Sequence, residues 1–130
     1  MNFLNTYSSL IGRILISLIF LMAGINKIFA YAATEGYMQA MGVPGVLLPM
    51  VILLEIVGAV AIIIGYKTKL FAFLLAGFSI VSAFLFHFNF ADQTQSALFM
   101  KNIAIAGGFL FLVANGAGLV SIDNKSTKGE

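Results

Sequence analysis

Residues 47–65 read LLPMVILLEIVGAVAIIIG. One charge, Glu55, stands in the run, and no polar stripe recurs every three or four positions to give a helix a water-facing side. The length matches the roughly 20 apolar residues needed to cross a hydrocarbon layer about 30 Å thick. Pro49 falls in the first helical turn, where its missing N–H removes no bond, and Gly65 closes the run. The stretch is read as a transmembrane helix with a carboxyl group about 13 Å from its start, close to the bilayer centre.

Outward from this segment the pattern repeats. Apolar runs at about 10–31, 70–90 and 97–119 join the one at 47–65 to make four spans. The chain is 61% hydrophobic and 9% charged, with a mean hydropathy of +1.04, whereas soluble domains carry about 25% charged residues. The expected fold is therefore all-α, an integral membrane four-helix bundle forming one transmembrane domain over residues 1–130. The connector Ala32 to Gly45 is read as a loop ending in the turn Val43-Pro44-Gly45, and the polar tail 121–130 as frayed. A cleavable signal peptide competes for the first run, because Ala30-Tyr31-Ala32 imitates a small-residue cleavage site. That run is long for such a signal and has Lys27 inside it, so it is read as a span.

The residue inventory excludes much chemistry. With no cysteine there is no thiolate catalysis, disulfide exchange, iron–sulfur ligation or thiolate zinc site. The lone histidine, His87, cannot supply the paired axial ligands of a transmembrane di-haem protein. No haem, iron–sulfur cluster or metal is expected, and a net charge of +2 gives no reason to expect nucleic acid. Charge speaks to topology instead. Arg13, Lys67, Lys69, Lys125 and Lys128 fall at the end that holds both termini, and Lys27 and Lys101 at the other. Cytoplasmic loops carry the Lys and Arg excess, so both termini are expected to be cytoplasmic.

An ionisable side chain deep in a bilayer costs at least about 2.5–3.5 kcal/mol on insertion scales, so each one needs a reason. Helix direction places Lys27, His87, Lys101 and Asn102 in the same outer half as Glu55, with Asn26 beside Lys27. Asp92, Gln93 and Gln95 are expected to roof this region, with Thr34, Glu35 and Tyr37 in reach. Small residues share a helical face with each charge: Ala23 and Gly24 with Lys27, Gly58 and Ala59 with Glu55, and Ala104 and Gly108 with Lys101. Such stripes let helices approach, so the charges are expected to face the bundle interior.

Glu55 is the candidate proton exchanger, and Lys27, His87, Lys101, Asn102 and Asn26 are the candidate ligand-binding residues. Plainer readings stand beside these. Glu55 is equally a structural carboxylate paired with Lys27 or Lys101, or one kept neutral by desolvation. The lysines can snorkel to the interface, and Phe84, Phe86, Phe88 and Phe90 around His87 suit an aromatic belt. Arg13, at the boundary, is assigned to topology and headgroup contact.

Taken together, Gly12-Arg13, Ala23-Gly24-Ile25-Asn26-Lys27, Gly42-Val43-Pro44, Glu55 with Gly58, Phe86-His87, Lys101-Asn102 and Ala106-Gly107-Gly108 resemble the DoxX family of small four-helix bacterial membrane proteins. The resemblance spans roughly residues 9–123. It implies a plasma-membrane or inner-membrane protein tied to redox chemistry, since relatives include a subunit of a thiosulfate:quinone oxidoreductase and members associated with quinone, electrophile and oxidative stress. It brings no agreed catalytic set. The leading expectation is a bundle that binds a quinone-like or other small apolar electrophile, as a component or accessory of a soluble or membrane oxidoreductase. A non-catalytic assembly subunit is the second reading. A proton-coupled transporter is the third; four short unbroken helices rarely give alternating access unless copies pair through their small-residue faces as a homo-oligomer.

Overall fold

A computed structural model of the chain describes residues 3–129. Met1, Asn2 and Glu130, the ends of the expected domain, lie outside the described residues, as does the side chain of Lys128. Six α-helices follow one another: α1 Phe3–Phe29, α2 Tyr31–Ala40, α3 Leu48–Ile64, α4 Thr68–Phe86, α5 Gln93–Asn115 and α6 Ile122–Gly129. A 3-10 turn, Gly45–Leu47, leads into α3. Four helices, α1, α3 with its leading turn, α4 and α5, are long and apolar enough to cross a membrane, and no strand occurs among the described residues. The chain is an all-helical, four-span membrane protein.

The observed helix ends differ from the hydropathy limits for local reasons. Helix α1 starts at Phe3, before the apolar run, and its 27 residues make a rod about 40 Å long that outreaches the hydrocarbon layer. Helix α4 stops at Phe86 because His87 leaves helical geometry. Helix α5 starts at Gln93 because the Asp92 carboxylate accepts from the Thr94 and Gln95 backbone N–H groups at 2.9 and 3.2 Å.

Two connectors read as irregular are helical. Between α1 and α3, residues 31–40 form α2, and Gly42, at φ +81°, terminates it. The Val43 N–H bonds to the Met38 carbonyl and the Gly42 N–H to that of Gln39, the paired bonds that close a helix on a left-handed glycine. The Gly42-Val43-Pro44 signal therefore marks the end of a helix. The tail expected to fray also forms a helix, α6. The Asp123 carboxylate accepts from the backbone N–H groups of Lys67 and Thr68 at 2.7 and 2.8 Å, and the Asp123 N–H donates to the Gly65 carbonyl at 2.8 Å.

Packing joins α1 to α3 and α4 to α5 as close pairs, with a lesser contact of α3 on α4. Glycine sets the closest approach. A Cβ on Gly24 would lie 2.6 Å from Ile56 Cγ1, and one on Gly58 would meet the Leu75 side chain at 3.2–3.3 Å. The shared core gathers Phe20, Ala59, Ile62, Ala72, Leu75, Ala76, Ala106 and Phe109, with the Phe20 ring 5.5 Å from that of Phe109 and 6.3 Å from that of Phe78. Phe20 thereby bridges the two pairs.

Candidate functional site

The site begins with Gly24. Its missing side chain lets α3 come close enough that the Glu55 Cβ would sit 3.3 Å from a Cβ there. One turn further along α1, Lys27 Nζ reaches Glu55 Oε1 at 2.9 Å. Of the two partners open to Glu55 in sequence, the structure selects Lys27. The Glu55 side chain is 4% exposed and that of Lys27 26%.

This ion pair lies on the wall of a cavity of about 430 Å³ between the two helix pairs. Five of the six candidate residues line it: Lys27 from α1, Glu55 from α3, His87 at the end of α4, and Lys101 and Asn102 from α5. Asn26 does not; it is exposed on α1. The remaining wall is largely apolar, with Phe20, Val51, Phe78, Leu85, Phe86 and Ile105 among its members. Ile19, Val81 and Leu85 line the cavity and are also exposed, so it opens between helices toward the lipid.

Helix α2 covers one end. Thr34, Tyr37 and Met38 line the cavity, and the Tyr37 ring stacks on that of Phe86 at 5.4 Å and 22°. The polar link from α4 to α5 is less of a roof than expected. Asp92 caps α5, while Gln95 places Oε1 2.8 Å from His87 Nδ1. An amide oxygen only accepts, so in this contact Nδ1 is the donor. The phenylalanine collar divides in the same way. Phe84, Phe88 and Phe90 cluster with Phe99 at centroid separations of 5.0–5.9 Å, and the first three are exposed as a belt would be. Phe86 instead joins Tyr37 at the cavity.

The small-residue stripe beside Lys101 is only partly a packing face. Gly108 meets Ile16 of α1, whereas Ala104 is exposed, and Lys101 itself is exposed while lining the cavity. Sequence reasoning missed Ser79, Ser82 and Met38, whose places in the wall depend on helix rotation and on α2. Among the described residues no three His, Asp or Glu side chains form a group that could hold a metal ion.

Arg13 is not at the headgroup surface. It is 1% exposed, and its guanidinium donates from Nη1 to the carbonyls of Ile62 at 3.2 Å and Ile63 at 3.1 Å, and from Nη2 to that of Val120. It satisfies carbonyls left open where α3 ends, a need that is acute where water is excluded. Gly65, at φ +75°, has no room for a side chain because Arg13 Nη1 would stand 2.6 Å from a Cβ.

Four spanning helices around a lipid-facing cavity with a buried ion pair define a small multi-pass membrane protein. Residues 8–88 match the DoxX family, and the chain belongs to it. It is 49% identical, over 98% of both chains, to the Inner membrane protein YqjF of Escherichia coli (strain K12). To the Inner membrane protein YphA of the same organism it is 33% identical, over 89% of this chain and 88% of the relative. No solved structure matches it. With these relatives and its four spans, the chain is a multi-pass protein of the bacterial inner membrane.

Proposed function

We propose that the cavity takes up a quinone-like or other small apolar electrophile from the bilayer, and that the protein serves as a redox-associated component or accessory of an oxidoreductase. The observation that carries this reading is the meeting of Lys27, Glu55, His87, Lys101 and Asn102 on one phenylalanine-rich cavity. Its volume of about 430 Å³ lies within the range of small-molecule sites. Mostly apolar walls with a few convergent polar groups suit a ring carrying carbonyl oxygens. Glu55 exchanges a proton with the ligand, and Lys27, His87, Lys101 and Asn102 orient its oxygens.

The test is to purify the protein in mild detergent, extract it with organic solvent, and measure quinone by absorbance and mass spectrometry, with Glu55→Gln in parallel. Quinone bound near one per chain in the parent and lost in the folded variant supports the reading. Equal content in both removes Glu55 from the site, and none in either removes the quinone.

One observation favours the assembly reading. The Lys27–Glu55 pair already satisfies both charges, as a purely structural lock would. In that case Glu55→Gln lowers yield, and a co-purifying partner works normally per molecule.

A further inference from the structure

The polar groups of the cavity fall into two sets. Glu55 is paired with Lys27, His87 Nδ1 with Gln95, the Ser79 hydroxyl with the Leu75 carbonyl at 2.8 Å and the Thr34 hydroxyl with that of Ala30 at 2.8 Å. Lys101 and Asn102, with the Ser82 and Tyr37 hydroxyls, have neither an ion pair nor a side-chain hydrogen bond among the described residues; all four line the cavity, and Lys101 is the charged one. Lys101 is the ninth residue of α5, about 12 Å along it. Lys27 and Glu55 cancel, so Lys101 leaves the cavity one positive charge in excess. Of the other acidic groups at this end, Asp92 caps α5 and Glu35 does not line the cavity. Lys101 is exposed while lining this largely apolar cavity, so an anion entering there meets a cation that has no counter-ion.

Resting on the reading of the cavity as a ligand site, we infer that it selects an amphipathic monoanion. The acidic head lies against Lys101 and Asn102, and the apolar body runs along Phe20, Phe78 and Leu85. A carboxylate and the enolate of a hydroxyquinone share this chemistry. The ammonium supplies a charge-assisted hydrogen bond, the Asn102 amide a second donor, and the open side toward lipid lets the body enter without crossing a polar surface. A neutral ligand of the same shape gains only the apolar burial.

The full chain in phosphatidylcholine nanodiscs at pH 7 tests this by calorimetric titration with two matched pairs, decanoate against decanol and 2-naphthoate against 2-naphthamide. The acids should bind about tenfold tighter than their neutral partners, equal to about 1.4 kcal/mol. Lys101→Gln should reduce that ratio to near one, Lys101→Arg should keep it, and Asn102→Leu should weaken the acids more than the neutral compounds. Tighter binding of decanoate points to a lipid-derived acid, and tighter binding of naphthoate to an aromatic one. Neutral compounds that bind as well as the acids, or a ratio unchanged in Lys101→Gln, overturn the inference. If quinone still binds in that case, the site reading survives; if neither quinone nor any of these compounds binds, both fall.

Discussion

At the scale of single residues, the buried charges hold the helices together as well as furnish the cavity. Arg13 contributes three hydrogen bonds to carbonyls of two separate segments, and bonds to charged groups are worth about 1.5–3 kcal/mol each. Arg13→Met should lower stability by about 3 kcal/mol or more, measured as the midpoint of unfolding in mixed detergent. Arg13→Lys should recover little of it, because one ammonium cannot reproduce the planar fork. An equal midpoint for Lys and Arg would show that charge alone matters. For the Lys27–Glu55 pair, Lys27→Met strands a buried carboxylate and should cost about 3 kcal/mol, the low end for a broken buried pair because Lys27 is partly exposed. Adding Glu55→Leu should restore most of the loss, and a double variant as weak as the single one would contradict the pairing. Sequence placed Glu55 near mid-membrane but left its partner open, since that depends on how closely α1 and α3 approach at Gly24. It put Arg13 at the surface because the carbonyls it binds lie about 50 and 107 residues away.

At the scale of elements, hydropathy located the four spans because lipid imposes apolarity on every face of a crossing helix. It was silent on α2 and α6, which are short, mixed in polarity and stabilised by what they dock on. The Asp123 carboxylate ties α6 to the first turn of α4. Burial pushes its pKa up, but hydrogen bonds from Thr68 and Lys67 and the charge of Arg13 outweigh this and hold it below the usual aspartate value of 3.8. A carboxylate with a lowered folded-state pKa adds stability that is fully present above its unfolded value and fades as pH falls through its folded one. Asp123→Ala should therefore cost about 1 kcal/mol, as for a lost helix cap, and by a constant amount between pH 5 and 8. Below pH 3.8 the difference should shrink and vanish once the native carboxyl is protonated. Thermal unfolding of the two proteins across pH measures it, and a gap that widens toward acid would reverse the sign of the argument.

At the scale of the whole molecule the two ends of the bundle differ in kind. At the end bearing both termini, Arg13, Gly65 and Asp123 lock α3, α4 and α6 together. At the opposite end, α2 covers a cavity that opens toward lipid. Lys67, Lys69 and Lys125 lie at the first end, with Arg13 in the first helix near it, and Glu35 and Asp92 lie at the second. The excess of Lys and Arg on cytoplasmic loops then predicts cytoplasmic termini and a cavity nearer the periplasmic face. Because the chain has no cysteine, single substitutions report cleanly on this orientation. Lys69→Cys, in the first turn of α4, and Thr94→Cys, at the start of α5, both fall on exposed positions at opposite ends. In intact spheroplasts a membrane-impermeant maleimide should label Thr94→Cys at once and reach Lys69→Cys only after lysis. The reverse pattern would turn the cavity toward the cytoplasm. Any proton released or taken up by a ligand there would then be exchanged with the cytoplasmic phase.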